Sequence, residues 1–174
     1  MGVLSAWRFC PRCSATVEHN PGRAECPACG FAAYANPAPT ASAVIVDGDG
    51  RALLSRRAYE PYRGLWDLPG GFLEEWEHPL ECLRRELREE TGLDVEPDEF
   101  LGFFVDRYGP ETDARWTLNM YWTARAVGGE LGPADDVSEL AWFFPDELPP
   151  PEETAFRNVA HVLAEWRDRF ARPQ

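Results

Sequence analysis

The length and charge of this chain limit what it can be, since 174 residues, 44% of them apolar, suffice for one substantial core and a small accessory module. The formal net charge of −13 argues against a general nucleic-acid-binding protein, because such binding depends largely on neutralising phosphates with basic groups. No stretch approaches the ~20 apolar residues of a membrane helix, and the start lacks the pattern of a signal peptide, so we expect a cytoplasmic protein without a membrane partner.

Four of the five cysteines form two CxxC pairs near the amino terminus, each with proline after its first cysteine. Four thiolates at this spacing can complete a tetrahedral structural site, and a reducing cytoplasm disfavours disulfides. Residues 1–40 carry three arginines against two glutamates, a weak basis for binding nucleic acid. We therefore expect this segment to stabilise the chain or to mediate a homodimer. The sequence predicts a zinc ribbon over residues 1–35, with structural Zn²⁺ held by Cys10, Cys13, Cys26 and Cys29.

A catalytic domain is predicted over residues 36–174. Residues 34–40, with two prolines, indicate an extended linker before it. Two strands are predicted next, at 41–47 and 51–57, joined by an Asp-Gly-Asp-Gly turn. Arg56 and Arg57 at the end of this hairpin are candidates for binding substrate phosphates, although a solvated strand end explains either residue equally well.

The stretch from residue 71 to 93 carries the strongest pattern in the sequence. Glu86, Glu89 and Glu90 recur at i, i+3 and i+4 of a predicted helix, which turns their carboxylates toward one face. Leucines at 80, 83 and 87 form the adjoining apolar stripe. Three neighbouring carboxylates repel one another unless a cation lies between them, whereas for three glutamates alone a solvated acidic helix is the ordinary explanation.

The spacing of the complete stretch favours a cation site over a solvated acidic helix. Gly71, Glu77, the Arg85-Glu86-Leu87 run, the Glu89-Glu90 pair and Gly92-Leu93 occupy every fixed position of the signature of the Nudix hydrolases. The chain therefore resembles that family. One departure is Trp76, which stands where many members have glycine.

The resemblance implies hydrolysis, dependent on Mg²⁺ or Mn²⁺, of a pyrophosphate bond in a nucleoside diphosphate derivative. It also implies that Glu77 pairs with Arg85 to hold the loop against the helix. For the general base, the candidates are Glu86 and an acidic residue from a later loop, of which we choose Glu139. The implied metal ligands are Glu86, Glu89, Glu90 and the carbonyl of Gly71.

The rest of the sequence predicts further strands of the sheet and a last helix that covers one side of it. Residues 100–108 and 116–127 are aromatic-rich strand candidates, and residues 139–149 resemble the late strand and loop of the family. From residue 152 the pattern is helical. We expect an α/β/α sandwich with a mixed sheet, preceded by the zinc ribbon. The apolar face of the last helix is predicted to contain Phe156, Val159, Leu163, Trp166 and Phe170.

The substrate is only partly indicated. The second CxxC pair resembles the zinc ribbon in front of the Nudix domain of some NADH and FAD pyrophosphatases, but the SQPWPFP motif of the NADH enzymes is missing. Residues 108–110, Tyr-Gly-Pro, have a loose likeness to a loop of ADP-ribose pyrophosphatases. We expect a small nucleotide substrate such as ADP-ribose, FAD or an NADH-like molecule. The alternatives are a nucleoside triphosphate pyrophosphohydrolase and a non-catalytic nucleotide-sensing module.

Overall fold

The computed structural model describes residues 3–109 and 115–170. At the amino terminus three short strands form an antiparallel sheet in chain order: Glu18–Asn20 (β1), Arg23–Glu25 (β2) and Ala32–Tyr34 (β3). The two CxxC turns beside this sheet have the same backbone hydrogen bonds. In each, the amide of the first cysteine donates to the carbonyl five residues later, and the amide four residues later donates back to that cysteine, at 2.8–2.9 Å.

Seven further strands form the larger sheet, and two helices accompany it. The strands are Ala38–Val46 (β4), Ala52–Arg57 (β5), Trp66–Asp67 (β6), Gly70–Phe72 (β7), Leu93–Tyr108 (β8), Arg115–Gly129 (β9) and Val137–Phe143 (β10). The helices are Pro79–Thr91 (α1) and Arg157–Phe170 (α2), and a 3₁₀ turn, Pro151–Glu153, precedes α2.

The larger sheet is mixed. Its main path runs β10-β5-β4-β9-β8, with β6 paired to β5 and β7 paired to β4. β4 and β9 are parallel, and the other pairs are antiparallel. The predicted hairpin is present as β4 and β5, in which Ile45 lies opposite Leu53.

The helices cover opposite faces of this sheet. Successive residues of a strand point to opposite faces, and on β5 Leu53 packs with the residues of α1 whereas Leu54 packs with those of α2. Leu83 and Leu87 of α1 are fully buried on one side, and Trp166 of α2 is buried on the other. The predicted α/β/α sandwich with a mixed sheet is therefore confirmed.

The ends of α1 are fixed by local chemistry. His78 caps the amino terminus, accepting a hydrogen bond from the amide of Leu80 at 3.2 Å, and its own amide donates to Glu81 Oε2 at 3.1 Å. Pro79 fills the first helical position, where no amide hydrogen is needed. Gly92 ends the helix in the left-handed conformation, with φ of 74°. These caps set which side chains of α1 face the preceding loop.

Several boundaries differ from the sequence prediction. The linker predicted over residues 34–40 shrinks to residues 35–37, because Ala38 already pairs with Thr117 in the parallel β4–β9 ladder. Helix α2 begins at Arg157 and not at residue 152, after the proline run and the 3₁₀ turn. Val159, Leu163 and Trp166 are buried as predicted, and Phe156 precedes the helix and is partly buried.

Some expectations stay predictions. Pro110 and the side chain of Phe170 lie outside the described residues. The division of the chain at residues 35 and 36 also stays a prediction. Among the described residues, no helix has the length and apolar character needed to cross a membrane.

Candidate active site

Arg85 joins the loop before α1 to the helix itself. Its Nε and Nη2 donate to the two carboxylate oxygens of Glu77, at 2.7 and 2.8 Å, and Nη2 also donates to the carbonyl of Phe72 at 3.2 Å. Its Nη1 donates to Glu86 Oε1 at 2.8 Å and to Glu89 Oε2 at 3.2 Å. The hydrogen bonds from Arg85 lower the pKa of Glu77 to about 2. Arg85 thus holds the loop in place and orients two of the helix carboxylates.

The backbone of β7 lies directly against these glutamates. A Cβ atom built on Gly71 would come within 2.4–2.5 Å of the Glu86 carboxylate, so only glycine allows this approach. The amide of Gly70 donates to Glu90 Oε2 at 3.0 Å. Glu86 and Glu90 therefore meet the Gly-Gly backbone from the helix side, with the Gly71 carbonyl on the same segment.

Behind Glu90 is a small enclosed cavity, here called the acidic cavity. Its lining includes three carboxylates, Asp67, Glu90 and Asp136, together with the guanidinium of Arg57. Arg57 Nη1 donates to Asp67 Oδ2 at 3.1 Å. Negative groups thus outnumber this cation three to one among the described residues that line the cavity.

Burial and like charge disfavour ionisation in this cluster. Glu90 is only 7% exposed, and burial, with the nearby charge of Asp136 next, raises its pKa well above the ordinary value. Burial also raises the pKa of Glu86, whose side chain is 14% exposed. Asp67 is buried too, and burial raises its pKa to about 6, although Arg57 partly offsets this.

These residues fit a divalent cation. Carboxylate and carbonyl oxygens are the ligands that Mg²⁺ prefers, and a cation would stabilise the charged form of Glu90, whose pKa is raised by burial and by the nearby Asp136. Glu86, Glu90 and the Gly71 carbonyl would hold it. Glu89 lies at the solvent edge, with its side chain 50% exposed and its carboxylate beside Arg85.

Two of the predicted site residues lie elsewhere. Glu139, our sequence-based choice for the general base, is 53% exposed and its Oε2 lies 2.8 Å from Nε of Arg56. The two residues face each other in the β10–β5 ladder, and the Arg56 guanidinium covers the ring of Trp66 at 4.2 Å. Neither is among the residues lining the acidic cavity. Arg57 thus lies at the carboxylate cluster, whereas Arg56 and Glu139 form an ion pair with each other.

Sequence reasoning missed two members of the cluster. Asp67 interrupts the apolar run Leu-Trp-Asp-Leu at residues 65–68, and a charged residue in such a run could have been recognised as a buried functional group. Asp136 directly precedes β10. Nothing in the sequence distinguishes it from its neighbour Asp135, because its role depends on where the β9–β10 connection passes.

The sequence model of a family described as "NUDIX domain" matches residues 36–165. The chain belongs to the Nudix domain family. A NAD-capped RNA hydrolase NudC of Stutzerimonas stutzeri (strain A1501) is 28% identical to it, over 98% of this chain and 60% of the relative. An ADP-ribose pyrophosphatase of Methanocaldococcus jannaschii is 34% identical, over 67% of each protein. The chain thus spans about 60% of the length of the NudC relative.

Two solved structures also resemble the chain. A Nudix hydrolase from Nitrosomonas europaea shares 27% identity and a TM-score of 0.78, covering 97% of this chain and 94% of that one. A MutT Nudix hydrolase from Burkholderia pseudomallei shares 30% identity and a TM-score of 0.63, covering 74% and 96% respectively. The first similarity extends over the amino-terminal segment as well as the Nudix domain.

A second, aromatic cavity of about 60 Å³ opens beside the acidic cavity of the Nudix domain. The two share Arg57, Asp67 and Gly70 in their linings. The rings of Tyr108 and Phe156 stack in this aromatic cavity, with centroids 5.7 Å apart and planes 21° apart. Flat apolar surface therefore adjoins the carboxylates, an arrangement that suits a nucleotide.

The four predicted zinc ligands come together in front of the Nudix domain. Their Sγ atoms all lie within 4.8 Å of one another, with 3.6 Å between Cys10 and Cys29 and 3.5 Å between Cys13 and Cys26. Tetrahedral Zn²⁺ with Zn–S bonds near 2.3 Å requires sulfur atoms about 3.8 Å apart. The donor set and its spacing therefore fit a closed zinc site with no open position.

Proposed function

We propose that this chain is a metal-dependent Nudix hydrolase that cleaves the pyrophosphate bond of a nucleoside diphosphate derivative. The observation that carries the proposal is the contact of Glu86 and Glu90 with the Gly70–Gly71 backbone, next to a cavity in which carboxylates outnumber the cation. Such a charge distribution is unfavourable for stability alone and is typical of a functional cation site.

The cation and the chain's own residues have separate tasks in this proposal. A bound Mg²⁺ or Mn²⁺ supplies positive charge that offsets the negative oxygens of the pyrophosphate. Arg85 keeps the carboxylate of Glu86 oriented toward β7, and Gly71 leaves room for it. Arg57, at the boundary between the acidic and aromatic cavities, lies where a phosphate oxygen would meet its guanidinium.

For the general base we propose Asp136 in place of Glu139. Asp136 lines the acidic cavity together with Glu90. It lies on the connection that leads into β10, and in this connection the amide of Ala134 donates to the carbonyl of Glu90 at 3.1 Å. A water held beside Glu90 could therefore pass its proton to Asp136. The carboxylate of Glu139, in contrast, is paired with the guanidinium of Arg56.

ADP-ribose is the substrate we favour. Relatives named as a NAD-capped RNA hydrolase and an ADP-ribose pyrophosphatase both act on adenine-containing diphosphates by their names. The missing SQPWPFP motif argues against NADH, and the aromatic side chains near the carboxylates support a substrate that carries a base. FAD remains the next candidate. We further propose that residues 1–35 form a ribbon with structural Zn²⁺, whose role is stability and not chemistry.

A substrate panel tests this proposal. The purified protein would be incubated with Mg²⁺ and ADP-ribose, FAD, NADH or nucleoside triphosphates, and the products separated by chromatography. We expect AMP from ADP-ribose, and no product without a divalent cation. Glu81→Gln is the matched control on α1, because glutamine preserves the helix cap and Glu81 is exposed. Preferred release of pyrophosphate from a triphosphate would support the alternative function, and no cleavage of any compound would support a sensing module.

A further inference from the structure

An open groove of about 770 Å³ adjoins the aromatic cavity. It lies between the end of β8, the start of β9 and the first turn of α2, and its volume is in the range of small-molecule sites. Asp106, Phe156 and Asn158 line both the groove and the aromatic cavity. The aromatic cavity in turn shares lining residues with the acidic cavity, so the three spaces adjoin one another.

Asn158 has an unmet hydrogen-bonding requirement at the junction of these two spaces. Its side chain is 7% exposed, and its Oδ1 has no hydrogen-bond partner among the described residues. Buried polar atoms without partners are rare in proteins and unfavourable. The backbone amide of Asn158, in contrast, donates to Asp106 Oδ2 at 3.2 Å. Asp106 therefore fixes the backbone of Asn158 against β8, while Oδ1 of the Asn158 side chain accepts no hydrogen bond from the described residues.

The other asparagine of the aromatic cavity, in contrast, has hydrogen-bond partners at both polar atoms of its side chain. Asn119 Oδ1 accepts a hydrogen bond from Thr40 Oγ1 at 2.8 Å, and its Nδ2 donates to the Phe104 carbonyl at 3.1 Å and to Thr117 Oγ1 at 3.0 Å. Its amide is fully used in holding β4, β8 and β9 together. Of these two asparagines, Asn158 is the one with a buried side-chain atom that has no hydrogen-bond partner among the described residues.

The surroundings of Asn158 indicate the kind of ligand. Phe156, its near neighbour, presents an aromatic ring to both spaces, and Tyr62 meets that ring edge-on with centroids 5.1 Å apart. Among the described residues that line the groove, two are arginines, Arg107 and Arg157, and one is a carboxylate, in a chain whose net charge is −13. A flat ring with a hydrogen-bond donor on its edge and an attached anionic group matches these three features.

We propose that this groove binds the adenine base of the substrate and that Asn158 recognises its amino group. The identity of the nucleotide rests on the proposed function. The exocyclic amine of adenine would donate to Oδ1, and Nδ2 would donate to the adjacent ring nitrogen, the pairing by which asparagine reads adenine elsewhere. The ring of Phe156 supplies the stacking surface. Asn158 is thereby a specificity-determining residue, and Asp106 is the positioning residue that holds it.

Binding of two mononucleotides to the intact protein tests this inference. AMP and purine riboside 5′-monophosphate differ only in the amino group, and their dissociation constants would be measured by calorimetry. We expect AMP to bind about tenfold more tightly. Asn158→Ala should bind both nucleotides with the weaker affinity, so that the tenfold ratio is lost. Phe156→Leu removes the ring and not the amide, so it should weaken both nucleotides alike and keep the ratio.

Each outcome separates the inference from the proposed function. Equal binding of the two nucleotides by the parent, an unchanged ratio in Asn158→Ala, or tighter binding of GMP than of AMP would overturn the role of Asn158. If Asn158→Ala does not fold, as judged by thermal unfolding, the parent ratio and Phe156→Leu still decide. Because binding needs no cleavage, absent turnover of every compound in the panel, with a preserved AMP preference, would refute the hydrolase and leave this inference intact. Turnover without a preference for AMP would leave the hydrolase intact and refute the role of Asn158.

Discussion

The cysteine cluster and the glutamate cluster, each of which we propose to hold a metal, differ in their geometry. The four thiol sulfurs lie within 4.8 Å of one another, whereas no three carboxylates of the described residues come that close. Cys10 and Cys26 are buried in the cysteine cluster, whereas the side chain of Glu89 is 50% exposed. A closed tetrahedral set suits a structural ion, and a looser, partly hydrated set suits an ion that must also accept substrate.

The two regions also differ in what surrounds the metal ligands. The ribbon core has three buried side chains, two of them cysteines, while the sandwich has two large apolar clusters, one under each helix. A core this small cannot stabilise a fold without a cross-link or a metal. Metal removal should therefore unfold the ribbon, but it should leave the sandwich folded and inactive. The predictions below test this contrast.

The largest effect is expected for Glu90→Gln and Glu86→Gln. Each keeps the side-chain shape and removes one negative charge at the proposed cation site, so turnover of ADP-ribose should fall by about a hundredfold or more. Glu89→Gln should cost less, because Glu89 is half exposed and paired with Arg85. Measuring the turnover of the three variants at saturating Mg²⁺ tests this ranking. The metal-free Glu90→Gln protein should unfold at the same temperature as the parent or higher, since burial and Asp136 already disfavour the charge. Turnover near the parental value in both Glu86→Gln and Glu90→Gln would refute the site.

Asp136→Asn and Glu139→Gln form the next pair. If Asp136 takes the proton from water, its amide variant should lose roughly a hundredfold in turnover with little change in the KM for ADP-ribose. Glu139→Gln removes only an exposed ion pair with Arg56, and turnover should stay within about threefold of the parent. Steady-state kinetics of both variants decide the question. The opposite ranking would restore Glu139 as the general base.

Cys26→Ser should act on the ribbon and spare the chemical step. Cys26 is fully buried, and losing one of four thiolates opens the zinc site. We expect the zinc content to fall from about one per chain to a small fraction, the ribbon to become sensitive to protease, and turnover per folded molecule to change by less than about threefold. Metal analysis and limited proteolysis measure the first two effects. A collapse of turnover in folded Cys26→Ser protein would mean that the ribbon takes part in catalysis.

The smallest effect is expected at Trp76, the residue that departs from the family signature. It is 96% exposed and has φ of 71°. Trp76→Gly should raise the free energy of unfolding by about 0.5–1 kcal/mol, because relief of left-handed strain exceeds the entropy that glycine adds to the unfolded chain. Turnover should be unchanged. Denaturant unfolding and ADP-ribose kinetics check the two statements, and a loss of turnover would instead assign Trp76 a contact with substrate.

The two clusters also show how far the sequence could be interpreted. Both the cysteine pairs and the glutamates of α1 are local patterns, whose spacing along the chain determines their proximity in the turn or helix. Asp136 and Asn158 join the site only because β10 and α2 return to the sheet, and no local pattern records that return. The linker was predicted too long for the same reason, since the strand character of Ala38 depends on Thr117, which is distant in sequence.

The contrast between the two metals is tested most directly by dialysing the intact protein against metal-free buffer and measuring zinc content and ADP-ribose hydrolysis in the same sample. Tightly held Zn²⁺ should remain at about one per chain, whereas hydrolysis should be absent and should return when Mg²⁺ is added. Full hydrolysis in the dialysed protein without added Mg²⁺ would contradict the account. So would a failure of Mg²⁺ to restore hydrolysis to zinc-loaded, folded protein.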